Sequence, residues 1–342
     1  MIQTEAFQTY VHSRDFLDQL GLPAAAELHF SPLGQGEYNT NFSFTHPVTG
    51  QKLVLRVNTG SQMHLPNQIE YEFSALQDLA PSGRTPKVLF CDDSRSILPY
   101  GTLVMEWLSG RALRYESDLG AAAEILADIH SLSVPQRTAL IPAKQPAREI
   151  YEECLAMAQQ YLDWDGAEKE SCRLLEELIA EIGRLPLAEG SAAPRCIVNT
   201  ELNSGNFLIN EGARSYLIDW EKPLLSEPAQ DLGHFLVPTT TFWKTDVILT
   251  AEEIGNFLRM YLRAVDGRMD TSTIAERLPL FFTVTCLRGI SWCAMALREY
   301  LQPGRAITNS DTLAKIRQYV EPGFMENILC NYVRRDFLKG VC

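Results

Sequence analysis

The apolar pattern of the chain changes once, near residue 110, and that change limits the fold more than any other feature. Before it, short stretches alternate apolar and polar residues around Gly-, Pro- and Asn-containing turns, the period of half-buried strands. After it, apolar residues recur every three to four positions, the period of helices. Residues 29–57 read as a hairpin-rich start, with a Gly-rich turn and a second turn at His46–Gly50. Residues 65–80 read as one helix, because Ile69, Glu72, Phe73, Leu76 and Leu79 share a face. TPKVLFCD and GTLVMEW read as two further strands, and LSGRAL, broken at Gly110, as a connector. From about residue 118 the pattern is helical, clearest in AAAEILADIHSL, with one β segment at residues 195–219. The order predicts an α+β chain: a small antiparallel β lobe with one helix over residues 1–107, a larger mainly helical lobe over 108–342, and a ligand cleft where they meet.

Composition narrows the function. Of 342 residues, 46% are hydrophobic and 21% charged, which fits a folded globular protein and excludes disordered, collagen-like and coiled-coil classes. Thirty basic against 43 acidic residues give a net charge of −13. No nucleic-acid partner is expected, because gripping a phosphate backbone through bulk charge needs the opposite sign. The eight cysteines have no zinc-like spacing and read as reduced thiols. The first 21 residues read as a short amphipathic helix and not as a signal or transit peptide, so a cytoplasmic location is expected. Residues 278–297 have the length of a membrane span, but Arg288 sits in their middle and Pro279 and Gly289 interrupt the apolar run. A central Arg costs a few kcal/mol in a bilayer, so a buried helix and no membrane association is the expectation.

Three separated segments carry chemistry. In Leu33–Phe42, Gly34 and Gly36 let the backbone approach a polyphosphate without Cβ clashes. No Gly-Lys-Ser/Thr follows, which excludes a Walker loop, and no helix follows, which excludes a dinucleotide fingerprint. In the second segment, Arg56 on the strand LVLRVN can reach phosphate oxygens, and a helix carboxylate can hold it. Glu72 is preferred over Glu70 because it lies one turn before Leu76 on the apolar face. In the third, a strand leads into a loop bearing Glu201, Asn206 follows five residues on at the mouth of the next strand, and Asp219 ends the strand after that. Carboxylate and amide oxygens at adjacent strand ends suit a hard cation such as Mg²⁺, and a further carboxylate can accept a hydroxyl proton.

With these residues in place, the chain resembles the aminoglycoside phosphotransferase and choline kinase-like superfamily, over about residues 30–300. The resemblance implies the two-lobed protein-kinase-like fold. It places Gly34, Gly36 and Asn39 in a phosphate loop, Arg56 as the phosphate-contacting cation with Glu72 as its partner, and the backbone around Glu106, Trp107 and Leu108 as the hinge that holds adenine. NTELNSGN aligns with the catalytic loop, which makes Glu201 the catalytic carboxylate. Asn206 and Asp219 become the Mg²⁺ ligands, and Asp231 in EPAQDLG a brace for the loop. The partners implied are a nucleoside triphosphate, ATP or GTP, and a small-molecule acceptor. Three positions depart from the commoner family pattern: its loop His is Asn199, its catalytic Asp is Glu201, and its strand Lys is Arg56, an exchange some relatives share. Transfer of the γ-phosphate to a hydroxyl of a small metabolite or antibiotic, cationic in keeping with the charge of −13, is the reading these residues favour. The alternatives are a kinase fold that binds nucleotide or metabolite without turnover, and a different group transfer on the same fold.

Overall fold

A computed structural model of the protein describes residues 4–36, 38–188, 194–302, 310–335 and 337–340. Glu37 of the Gly-rich segment, Cys342 and the first three residues lie outside the described residues. The chain opens with α1 (Thr4–Val11) and α2 (Arg14–Gln19). These are two helices where the pattern suggests one, because Ser13 ends the first and caps the second, its Oγ accepting from the Phe16 N–H at 3.2 Å. Then follow β1 (Ser31–Gln35), β2 (Asn39–Thr45), β3 (Lys52–Asn58), α3 (Gln68–Leu79), β4 (Val88–Asp92) and β5 (Gly101–Glu106). Beyond them come β6 (Arg111–Ala112), α4 (Tyr115–His130), α5 (Pro146–Leu162), α6 (Lys169–Ile182), β7 (Cys196–Val198), β8 (Phe207–Ile209), β9 (Tyr216–Leu217), β10 (Leu224–Ser226), α7 (Pro228–Leu236), α8 (Pro238–Thr245), α9 (Ala251–Val265), α10 (Ile274–Tyr300), α11 (Ser310–Val320) and α12 (Pro322–Ile328).

The chain forms two compact units. The first joins Met1–Arg111 to Leu132–Ile141 and Leu208–Pro223. The second comprises Ala112–Ser131, Pro142–Phe207 and Leu224–Cys342.

In the first unit, five antiparallel strands lie in the order β1-β2-β3-β5-β4. Strand alternation sorts β3 into two faces. Leu53, Leu55 and Val57 join Phe7, Tyr10, Val11, Phe16 and Leu17 of the two N-terminal helices in one apolar core. Val54, Arg56 and Asn58 point the other way, to the face that α3 covers. The Tyr10 hydroxyl reaches Thr102 Oγ1 on β5 at 2.5 Å, tying the helices to the sheet. Strand β9 pairs with β8.

The second unit is mainly helical. Its longest helix, α10, has 27 residues and is long and apolar enough to cross a membrane, yet 72% of its most apolar stretch is buried inside the protein. Pro279 and Gly289 do not break it. Pro279 falls in the second turn, and Gly289 is where Thr239 comes close: a Cβ there would meet the Thr239 Cβ at 2.6 Å. Strand β7 pairs antiparallel with β10, Ile197 opposite Leu225. β10 falls in a stretch whose sequence reads as helical, because its three residues are too few to set up an alternation.

Candidate active site

Four elements bring polar side chains together in the first unit. Across the β2–β3 ladder Asn41 stands opposite Arg56, and Asn41 Oδ1 accepts from Arg56 Nε at 3.1 Å. One nitrogen of the Arg56 fork donates to Glu72 on α3, and the other lies 3.4 Å from Asp219 Oδ1, just past the end of β9. Arg56 and Glu72 are both buried, and Glu70 is not the partner. Burial alone would lower the Arg56 pKa, but the Glu72, Asp219 and Glu221 carboxylates outweigh it and hold the guanidinium charged more firmly than usual. Burial raises the Glu72 carboxyl to about 6, with Arg56 pulling the other way. Among the described residues its second oxygen has no hydrogen-bond partner.

Glu221 completes the cluster. Burial, then the Asp219 charge, push its carboxyl up to about 8, while Arg56 and the Asn39 amide oppose the shift. Its backbone carbonyl accepts from Gln68 Nε2 at 2.7 Å, which fixes the segment after β9 against the start of α3. Asp219 itself has a φ of 66°, in the left-handed region that L-residues rarely enter.

The Gly-rich segment is a β1–β2 connection. Gly34 pairs with Asn41, and the Gly36 N–H donates to the Asn39 carbonyl at 2.8 Å. Among the described residues, a Cβ at Gly34 would meet nothing within 4 Å, and one at Gly36 only the Asn39 carbonyl at 3.8 Å, which leaves the two glycines open to close approach. The buried Asn39 amide oxygen accepts from Asn58 Nδ2 at 2.9 Å, locking the end of β2 to the end of β3. In the segment after β5, the N–H groups of Glu106 and Trp107 donate to Lys87 and Lys52 carbonyls at 2.8 and 3.2 Å. Both N–H groups are thus committed to the sheet. Lys52 Nζ lies 3.8 Å from the Trp107 ring centroid.

The second unit holds the loop between β7 and β8. Asp231 of α7, fully buried, accepts the Asn199 and Thr200 N–H groups, each at 2.8 Å. Its Oδ2 also receives His130 Nε2 of α4 at 3.2 Å, and His130 Nδ1 lies 2.9 Å from the Tyr261 hydroxyl. The Asn199 side chain accepts the Glu201 N–H at 3.1 Å. Thr200 has a φ of 69°, strained for a β-branched residue. Asn206 Nδ2 donates to the Glu201 carbonyl at 2.9 Å, which fixes its amide with the oxygen on the opposite side. The Glu201 side chain meets Arg288 of α10, Nη2 to Oε1 at 3.3 Å.

Sequence reasoning missed Asn41, Glu221 and Arg288 as members of these clusters. Strand register could have found Asn41, since it stands directly opposite Arg56. Glu221 follows Asp219 by two residues, but nothing local marks it as half-buried. Arg288 contributes a charge to an apolar run, and its partner lies 87 residues away.

Among the described residues, no three His, Cys, Asp or Glu side chains gather into a metal-holding cluster. A Mg²⁺ ion that arrives with phosphates needs only one or two carboxylates from the protein. In the first unit, Asp219, its side chain 35% exposed, is a carboxylate of that kind; in the second unit, Asn206 presents an oriented amide oxygen. Each of the two is a hard oxygen donor of the kind Mg²⁺ takes.

Solved structures share this fold. An ethanolamine kinase from Plasmodium vivax is 15% identical with a TM-score of 0.63, over 93% of this chain and 88% of that one. A choline kinase from Cryptosporidium parvum Iowa II is 12% identical with a TM-score of 0.63, over 99% of both chains. A spectinomycin phosphotransferase, solved with ADP and spectinomycin, is 14% identical with a TM-score of 0.57, over 87% of this chain and 93% of that one. The α+β architecture is thus the protein-kinase-like fold of small-molecule phosphotransferases. The profile of the phosphotransferase enzyme family matches residues 29–271. The chain belongs to that family.

Proposed function

We propose that the protein transfers the γ-phosphoryl group of ATP, or of GTP in its place, to a hydroxyl of a small acceptor. The observation that carries this reading is the buried Arg56, held by Glu72 and aimed at Asp219 beside an open Gly-rich turn. Arg56, permanently charged, grips phosphate oxygens, and Gly34, Gly36 and Asn39 shape the backbone beside them. The Leu108 backbone, following Glu106 and Trp107, meets the base. Asp219 and Asn206 hold Mg²⁺, which when bound neutralises charge on the phosphates. Glu201 orients the acceptor hydroxyl and takes its proton as the new O–P bond forms and the bond to the nucleoside diphosphate breaks.

The acceptor in this reading is polar and cationic. The net charge of −13 favours a positive partner, and the structural neighbours include kinases named for ethanolamine and choline. A cytoplasmic location goes with the use of ATP. A second reading, nucleotide binding without transfer, is favoured by one observation: Glu201 is engaged by Arg288 and stands where the family pattern has Asp.

Thermal unfolding with nucleotide tests the first step. Millimolar ATP or GTP plus Mg²⁺ is expected to raise Tm by linkage, and Asp219→Ala to abolish the metal-dependent part. No stabilisation by any nucleoside triphosphate would overturn the proposal. ADP release then separates transfer from binding alone.

A further inference from the structure

Arg288 lies in the middle of α10, its side chain only 14% exposed. A guanidinium buried in an apolar helix is costly unless its donors are used. Here every nitrogen faces a partner, and two of the partners belong to consecutive residues of the β7–β8 loop. Nη1 donates to the Thr200 carbonyl at 3.2 Å and Nη2 to Glu201 Oε1 at 3.3 Å. Nη1 also lies 3.5 Å from His234 Nδ1, and Nε 3.8 Å from Glu153 Oε2 on α5.

The two loop contacts differ in kind. Thr200 is the strained residue whose N–H is already taken by Asp231. Its carbonyl is taken by Arg288, so both sides of this residue are clamped by groups outside the loop. The next residue is Glu201, whose side chain has three rotatable bonds and would otherwise sample several rotamers. One rigid, planar fork therefore ties the position of the carboxylate to that of the backbone carrying it. An ammonium offers a point charge without that fixed geometry.

We propose that Arg288 is a positioning residue for phosphoryl transfer, one that sets the reach of the Glu201 carboxylate from the clamped loop. The proposal rests on the reading of Glu201 as the proton-accepting carboxylate. Glu153, 3.8 Å from Nε, adds a compensating charge to the guanidinium. Arg288 does not touch the acceptor; it acts through Glu201.

A double-mutant cycle tests it. Steady-state ADP release from Mg-ATP is measured with water, ethanolamine and choline as acceptors, for wild type, Arg288→Met, Arg288→Lys, Glu201→Gln and the combined variants. Arg288→Met is expected to lower kcat by at least ~10-fold, as a displaced catalytic group does, with KM for ATP within about twofold. In the Glu201→Gln background the same change is expected to alter kcat by less than about twofold, because residues that act as one unit are not additive. Arg288→Lys is expected to restore the unfolding temperature but not kcat. Multiplicative effects in the double variant, or full kcat in Arg288→Lys, would overturn the proposal. If Arg288→Met does not fold, the Lys series supplies the same cycle. Wild type that releases no ADP with these acceptors or with a wide panel of small hydroxyl compounds would instead refute the phosphotransferase reading, and a role for Arg288 in transfer with it.

Discussion

The guanidinium of Arg56 lies 3.4 Å from the carboxylate of Asp219, across 163 residues of sequence. It is the point at which β3, α3 and the segment after β9 are held to one another, since the same guanidinium donates to Glu72. The guanidinium stays charged at any ordinary pH and so compensates the Glu72 and Asp219 carboxylates.

Removing Arg56 separates stability from binding. Arg56→Met leaves Glu72 buried without its counter-charge and is expected to cost about 3–5 kcal/mol, the usual penalty for breaking a buried pair. The penalty should be largest above pH 6, where Glu72 is ionised. Arg56→Met with Glu72→Leu should recover most of the stability, because both charges are gone, yet nucleotide-induced stabilisation should remain lost. Urea unfolding with and without Mg-ATP reads both effects.

Glu221 gives a pH signature in the metal-free protein. Its carboxyl is raised to about 8 against an ordinary value near 4.5. A carboxyl raised on folding contributes stability that is complete below the lower value and is lost as pH rises through the higher one. Glu221→Gln imitates the neutral form, so its Tm should match wild type near pH 5 and exceed it at pH 8.5. Equal Tm differences at both pH values would show that Glu221 is not held neutral.

Asp231 should matter through the backbone. Asp231→Asn puts an amide where two N–H donors and His130 expect an acceptor. A loss of about 2 kcal/mol or more is expected, since each orphaned buried donor costs roughly 1–3 kcal/mol. Turnover should fall by more than the stability change explains, as the strained Thr200 relaxes. Activity measured well below the unfolding temperature separates the two contributions.

Glu201→Gln should reduce turnover by at least ~10²-fold, the contribution expected of a general base, while Mg-ATP affinity stays within a small factor. Glu201→Asp should also reduce it, because the shorter arm leaves Arg288 and withdraws the carboxylate by about an ångström. A Glu201→Asp enzyme faster than wild type would mean that the longer arm is a handicap.

Much of this was legible in the sequence where the signal is local. The strand alternation of LVLRVN placed Arg56 on one face of β3, and the helical spacing of Glu72 and Leu76 selected Glu72 over Glu70. The spacing of Glu201, Asn206 and Asp219 put each at a strand end or in the loop between strands. The missed features are non-local. Arg288 reads as a blemish in an apolar stretch until α10 brings it to Glu201. The pairing of β7 with β10 depends on three-residue strands that carry no period of their own. Glu221 looks like an exposed neighbour of Asp219, and only the folded cluster half-buries it beside Asp219 and Arg56.

Transfer of label from ATP carrying a radiolabelled γ-phosphate tests the central claim most directly. The protein is incubated with Mg-ATP and a panel of small hydroxyl acceptors, including ethanolamine, choline and spectinomycin, and products are separated and weighed. The account predicts that at least one acceptor gains the labelled phosphoryl group with matching ADP release, that Asp219→Ala abolishes it, and that Glu201→Gln slows it by at least ~10²-fold. Nucleotide that binds tightly while label appears in no acceptor would contradict the account and identify the protein as a binding member of the family.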